Sequence, residues 1–140
     1  MSLSVVVAAS AAQRAECRGI REGVFVAEQG VPRELELDGL DDECRHFLVY
    51  RDGIAIATAR TRSTSRGLKL ERVAVLREHR GRAAGRALVA YVLGQVPAGA
   101  TVYIHAQQSA LGFWERAGFG AEGAPFEEAG ISHRLMLFRG

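Results

Sequence analysis

Cysteine, lysine, proline and long apolar runs are all scarce in this chain. Two cysteines, Cys17 and Cys44, occur in 140 residues, too few for a disulfide framework, and neither has a metal-ligand spacing to a His or to the other. They read as plain thiols, and the carboxylates around Cys44 disfavour a thiolate nucleophile. No apolar run is long enough to span a bilayer, and Ser4 to Ala9 is too short for a leader, so neither a membrane nor export is expected and the cytoplasm is. Repeats and low-complexity tracts are lacking too. Lys69 is the sole lysine, and the net charge of +2 is small for a nucleic-acid binder. Arg77, Arg80, Arg82 and Arg86 could form a phosphate-binding stripe, but no aromatic stacking pattern accompanies them, and no nucleic-acid partner is expected.

With 48% of its residues apolar, the chain can bury roughly two-thirds of its unfolded surface as one domain, residues 1–140. Its periodicities give strand 4–9, helix 12–26, an irregular acidic loop to 45, strands 46–52, 54–62 and 67–76, helix 82–96, strand 100–106, helix 109–117, and strands near 119–126 and 131–138. That order is an α/β mixture of the α+β kind. Asp52-Gly53 between alternating apolar runs is a hairpin signal, so the second and third strands should be antiparallel. The fourth strand returns antiparallel from the Arg66-Gly67 turn. Helix 82–96 is long enough for a crossover, which makes the fourth and fifth strands parallel neighbours. Leu68 and Leu70 share one parity while Val73 and Val75 share the other, which predicts a β-bulge near Glu71 and Arg72. A strand buried on both faces would carry the same residues.

From Val73 to Leu88 an apolar strand runs through a short basic turn into an amphipathic helix. Ala84, Ala87, Leu88, Tyr91, Val92 and Gln95 follow the helical spacing, so the helix should begin near Arg82 with its first N–H groups unpartnered. Those donors, the positive end of the helix dipole and the side chains of Arg80, Arg82 and Arg86 favour an anion at one spot, and a phosphate fits. Gly81 and Gly85 remove side chains where ligand oxygens would approach the backbone. The plainer alternative is a helix start with solvated arginines.

Arg80-Gly81-Arg82-Ala83-Ala84-Gly85 resembles the Arg/Gln-x-x-Gly-x-Gly/Ala signature of the GNAT N-acetyltransferase superfamily, whose loop cradles the pyrophosphate of acetyl-coenzyme A (acetyl-CoA). Ala83 stands at the usual middle Gly, and its φ is expected to stay negative. Ala106 to Phe119 is similar to the family's strand end, short helix and Gly-Phe stop, spaced Asn-x-x-Ala-x-x-Phe-Tyr-x-x-x-Gly-Phe, with Gln107 and Trp114 departing from it. The run Val24-Phe25-Val26-Ala27-Glu28-Gln29-Gly30-Val31-Pro32, the acidic residues Glu34, Glu36, Asp38, Asp41 and Asp42, His46, and Gly130-Ile131-Ser132-His133 resemble the ElaA-like branch of small bacterial GNAT proteins, with Ser132 replacing a usual Pro. The resemblance covers nearly the whole chain, in order.

It implies a GNAT-like mixed, mostly antiparallel central sheet, splayed between the fourth and fifth strands and flanked by helices. Acetyl-CoA is the implied cosubstrate, with no metal. Its pantetheine arm would pair along Val73, Ala74 and Val75, its pyrophosphate would sit on Arg80 to Arg86, and Gln107 and Phe113 would complete the site.

Direct attack of an amine on the thioester needs a deprotonated amine, a stabilised oxyanion and a protonated leaving thiol. Glu71, at the bulge, is the expected general base, with His46, His105 and Glu28 as rivals. A Glu71–Arg72 ion pair and a structural His105 are the plainer readings of those two. Trp114 stands where the family carries Tyr; its indole N–H donates a hydrogen bond but cannot give up its proton, so it is expected to steady the departing sulfur. Glu28, Gln29, Asp41, Asp42, His46 and His133 are the expected acceptor-binding residues, and the acidic loop would draw a cationic amine. That loop lacks the Asp-x-Asp-x-Asp-Gly order of a calcium site. The acceptor is then a primary amine of a small molecule or peptide, and a homodimer is compatible with the sequence. The alternative is a non-catalytic acyl-CoA-binding or sensor module.

Overall fold

The computed structural model describes residues 2–81 and 83–140, and its strands form one sheet in the order β1-β2-β3-β4-β5-β7-β6. These are β1 Leu3–Val7, β2 Arg45–Arg51, β3 Ile54–Thr64, β4 Gly67–Val75, β5 Val102–Gln107, β6 Phe119–Glu128 and β7 Ile131–Phe138. All neighbours are antiparallel except β4 and β5, which are parallel. Asp52 and Gly53, at φ 50° and 83°, supply the left-handed pair that a tight two-residue hairpin requires.

Side chains of both parities are buried, so the sheet is covered on both faces. Phe47 and Val49 pack in one core with Leu88 and Val92 of α3 (Ala84–Gly94), whereas Leu48 packs in another with Cys17 and Ile20 of α1 (Ala11–Arg21). A capping box starts α1: Ser10 Oγ accepts from the Gln13 N–H at 3.0 Å, and Gln13 Oε1 accepts from the Ser10 N–H at 3.3 Å.

The sequence predicts a single helix over 12–26, but beyond Arg21 the coil widens into a π-helical segment, Glu22–Glu28, whose end is marked by a Gln29 N–H bond to the Val24 carbonyl at 3.0 Å. Such widening is uncommon and frequently accompanies functional sites, and here Val24, Phe25 and Gln29 line the cavity described below. The acidic loop is also more ordered than expected, with a one-turn helix α2 (Arg33–Glu36) and a 3₁₀ turn at Asp41–Glu43. The expected helix 109–117 is split into a 3₁₀ turn, Gln108–Ala110, and α4, Leu111–Arg116.

Across β3 and β4, Arg60 pairs with Glu71 and Thr58 with Ala74, so Arg72 and Val73 together oppose Ala59. Arg72 takes φ 55°, and this bulge lets Leu70 and Val73, three residues apart, both pack on the α3 side. β4 meets β5 only at Leu68–Val102 and Lys69–Tyr103. Beyond those pairs the strands part, and a cavity of about 1100 Å³ opens between them, walled by α3, α4 and the π-helical segment.

Candidate active site

One end of the cavity is the turn that leads from β4 into α3. Gly81 has φ 75° and nothing within 4 Å of where a Cβ would lie, so its backbone is open to a close-approaching group. Ala83 has φ 67°, overturning the expectation of a negative φ. The tertiary turn overrides the residue's preference at a cost of about 1 kcal/mol. The helix starts at Ala84 rather than near Arg82, and Arg82 itself lies outside the described residues. Its first internal bond runs from the Ala87 N–H to the Ala83 carbonyl at 2.9 Å, so the amides of Ala84, Gly85 and Arg86 precede any intrahelical acceptor.

Gly85 lines the cavity, as expected of the loop, and also has a packing role. A Cβ there would meet the Phe113 ring at 3.4 Å and Val75 at 3.6 Å, so the missing side chain lets α3 close on α4 and β4. Arg80 anchors the turn from outside, with its Nε–H on the Val75 carbonyl at 2.9 Å and its two Nη groups each 2.6 Å from a Glu28 carboxylate oxygen. Glu28 is therefore engaged at the loop end instead of the acceptor end. Gln107, at the end of β5, donates from Nε2 to Gln29 Oε1 at 2.8 Å and ties the two walls together.

The acidic loop is a clasp. Glu36 accepts from Arg21 Nε and from Arg72 Nε, each at 2.9 Å, while Asp41 accepts from Arg21 and Arg60 at 2.8 Å and Asp38 from Arg60 at 2.5 Å. Burial alone would raise the Asp38 pKa, but the bonds from Arg60 and from the Leu40 N–H, with the charge of Arg72, bring it down to about 2. Asp42 is exposed and pairs with Arg14 at 3.3 Å. His46 is buried under the loop with Nε2 at 2.8 Å from the Asp41 carbonyl, and burial lowers its pKa. None of Asp41, Asp42 or His46 lines the cavity, so their expected acceptor role gives way to holding the loop on the sheet. The signal that could have shown this is the position of the arginines, since Arg21 follows Cys17 by one turn on the apolar face of α1 and Arg60 sits in mid-strand.

Glu71 does line the cavity, but it is occupied. Arg60 Nε lies 2.7 Å away, and Arg62 Nε and Lys69 Nζ are each at 3.2 Å. Burial pushes its pKa up, yet the Arg62 bond and the charges of Arg60 and Lys69 win and hold it below the ordinary carboxylate value. A carboxylate so stabilised is a poor proton acceptor, which overturns the choice of Glu71 as base. The bonds go to Arg60, Arg62 and Lys69, and the expected plain pair with Arg72 is not formed, since Arg72 turns to the loop.

On β5, His105 holds Glu128 of β6, Nδ1 to Oε1, at 3.0 Å. The sequence reading missed Glu128; the β6–β7 pairing that sets Phe126 opposite His133 places it there. The His105 bond lowers the Glu128 pKa, and a carboxylate can only accept, so Nδ1–H is the donor and in the neutral ring Nε2 is the acceptor nitrogen. His133 Nε2 lies 3.9 Å from the other Glu128 oxygen, and Phe126 sits between the two imidazoles, edge-on to His105 and stacked on His133. Trp114 is buried edge-on between Phe113 and Phe119, with centroids at 5.1 and 5.3 Å, and forms part of the cavity wall.

Burial raises the pKa of both thiols, Cys17 and Cys44. Among the described residues no group of three or more His, Cys, Asp or Glu side chains is arranged to hold a metal, and no helix is long and apolar enough to cross a membrane.

A sheet parted after a bulge, beside a helix whose first amides face the gap, is the frame of the acyl-CoA-dependent N-acyltransferases. Residues 11–139 match the Acetyltransferase (GNAT) domain family, and the chain belongs to it. It is 33% identical over 138 residues to the uncharacterized N-acetyltransferase YjcF of Bacillus subtilis, covering 96% of this chain and 99% of that one. Among solved structures, Escherichia coli ElaA superposes with a TM-score of 0.84 at 27% identity over 99% of both chains. An acyl-CoA N-acyltransferase from Pseudomonas aeruginosa reaches 0.84 at 25% identity over 100% of both. The expected fold and the ElaA-like resemblance both hold.

Proposed function

We propose that the chain, acting as one domain, transfers the acetyl group of acetyl-CoA to a primary amine by direct attack. The observation that carries this reading is the presence, around one cavity, of the α3 amides at one end and the His105–Glu128 pair at the other. The open backbone of Gly81 and the side chain of Arg86 suit a pyrophosphate. The edge Val73-Ala74-Val75, which has no β5 partner, suits an extended amide-bearing arm, and amides around Val73 and Ala74 suit a developing oxyanion.

His105 replaces Glu71 as the general base. Its Nε2 accepts the ammonium proton, and Glu128 steadies the imidazolium that forms. Trp114 donates its indole N–H to the departing sulfur, and much of the rate comes from positioning. Thiol release from acetyl-CoA over an amine panel tests the reading, with His105→Asn expected to slow turnover about a hundredfold or more while still binding acetyl-CoA. Undiminished turnover in that variant moves the base elsewhere, and no binding at millimolar acetyl-CoA rejects the assignment.

A second reading, an acyl-CoA-binding sensor, draws on Trp114 being packed between Phe113 and Phe119 in place of an acid. Acetyl-CoA binding with no thiol release on any amine would favour it.

A further inference from the structure

Charges in the acceptor half of the cavity balance in one place and fail to balance in two others. In the loop, the carboxylates of Glu36, Asp38 and Asp41 face the guanidiniums of Arg21, Arg60 and Arg72, one for one. The loop carboxylates that line the cavity, Glu36 and Asp38, are therefore already matched. Beyond the loop, Arg62 and Lys69 have only Glu71 between them, and Arg60 also draws on that carboxylate. One positive charge there has no carboxylate of its own in direct contact, on side chains only 23% and 13% exposed, and Glu128 feels Lys69 only at longer range. A half-buried surplus of this kind favours an anionic partner.

The opposite surplus lies a strand away. Among the described residues Glu128 has no cation within ion-pair distance other than the imidazoles of His105 and His133; the charge of Lys69 acts on it only from farther away, so with neutral rings it is a negative charge without a direct partner. The two sites share one face of the sheet. Arg62 pairs with Lys69 and Lys69 with Tyr103, and His105 follows Tyr103 on the same side of β5. All of Arg62, Lys69, His105 and Glu128 line the cavity.

Resting on the acyltransferase reading, we propose that the acceptor is a free amino acid or a close analogue, its carboxylate held by Arg62 and Lys69 and its amino group presented to His105 and Glu128. The complementarity is dipolar: an ammonium meets the negative site and a carboxylate the positive one, both on one face of the sheet and in one cavity. A polycationic amine would leave the Arg62–Lys69 surplus facing like charge.

The experiment compares thiol release from acetyl-CoA with L-amino acids, with their carboxamides and with the corresponding amines lacking the acid. The acids should be favoured in kcat/KM about tenfold or more, the effect of one charged hydrogen bond. Arg62→Gln and Lys69→Met should each shrink that preference severalfold, with melting curves and acetyl-CoA titrations reporting whether the variants remain folded. Calorimetric titration of the same compounds into wild type saturated with coenzyme A gives a second readout that needs no variant and no turnover, and the acids should again bind more tightly. Carboxamides or simple amines that equal or outrank the acids in both assays, or a preference that survives both substitutions in folded protein, overturn the proposal and leave the acyltransferase reading standing. Failure to bind acetyl-CoA overturns both.

Discussion

Arg80 and Glu28 face each other in a two-pronged ion pair, each Nη 2.6 Å from a carboxylate oxygen, although they lie 52 residues apart in sequence. The Arg80 bond and charge hold the Glu28 pKa below its ordinary value, so the pair is intact at neutral pH. If Arg80 serves a pyrophosphate, Glu28 competes for it. Glu28→Gln should therefore tighten acetyl-CoA binding by roughly threefold to tenfold, and more at low salt, as measured by calorimetry. Weaker binding in this variant would mean that Glu28 holds Arg80 in its useful position.

Ala83 occupies a left-handed conformation that glycine adopts without strain. Ala83→Gly should stabilise the domain by about 1 kcal/mol and raise Tm by roughly 3 °C. Ala83→Val should lower Tm, because a β-branched residue fits that region worst. Thermal melts of the two variants check both signs.

Gly85 packs against Phe113 and Val75, so its replacement strikes the core. Gly85→Val should cost about 1–3 kcal/mol of stability by overpacking as well as weaken acetyl-CoA binding. Gly81→Val, at an exposed position with room for a Cβ but a positive φ, should reduce binding with a smaller loss of stability. Urea unfolding of the two variants separates these outcomes.

Acid should loosen the clasp in two stages. Burial lowers the His46 pKa below 6.5, so the unfolded chain takes up that proton first and stability begins to decline as pH falls through about 6.5. Asp38, at about 2, and Asp41 and Glu71, below their ordinary values, are charged more readily in the folded chain. Their contribution is complete above the ordinary carboxylate range and is lost as pH falls from about 4 toward 2. Tm measured from pH 8 to 2 should show a shallow fall and then a steep one, with the shallow part absent in His46→Gln.

The sheet order was legible in sequence because alternation, a hairpin pair and one crossover helix restrict it. Even the bulge could be read, since Leu70 and Val73 break phase by one residue. The site was less legible. A run of carboxylates advertises charge but not its partners, and Glu36, Asp38 and Asp41 meet arginines 15 to 36 residues away in sequence. Glu71 adjoins Arg72 in the chain, yet the bulge sends the two side chains to different neighbours. Glu128 carried no motif, and only the hairpin of β6 and β7 brings it to His105. Ala83 shows the converse case, where residue identity argues for one backbone region and the surrounding turn imposes another.

The early parting of β4 and β5 leaves two unpaired strand edges inside a single sheet. Exposed edges are templates on which foreign chains can add and aggregate, and β1 and β6 present them at the outer limits of the sheet. The inner pair is different, because α3, α4 and the π-helical segment stand around the gap. If an extended arm carrying its own amides pairs with those edges, as proposed above, the elements that frame the opening also stand between it and the edge strands of a second copy.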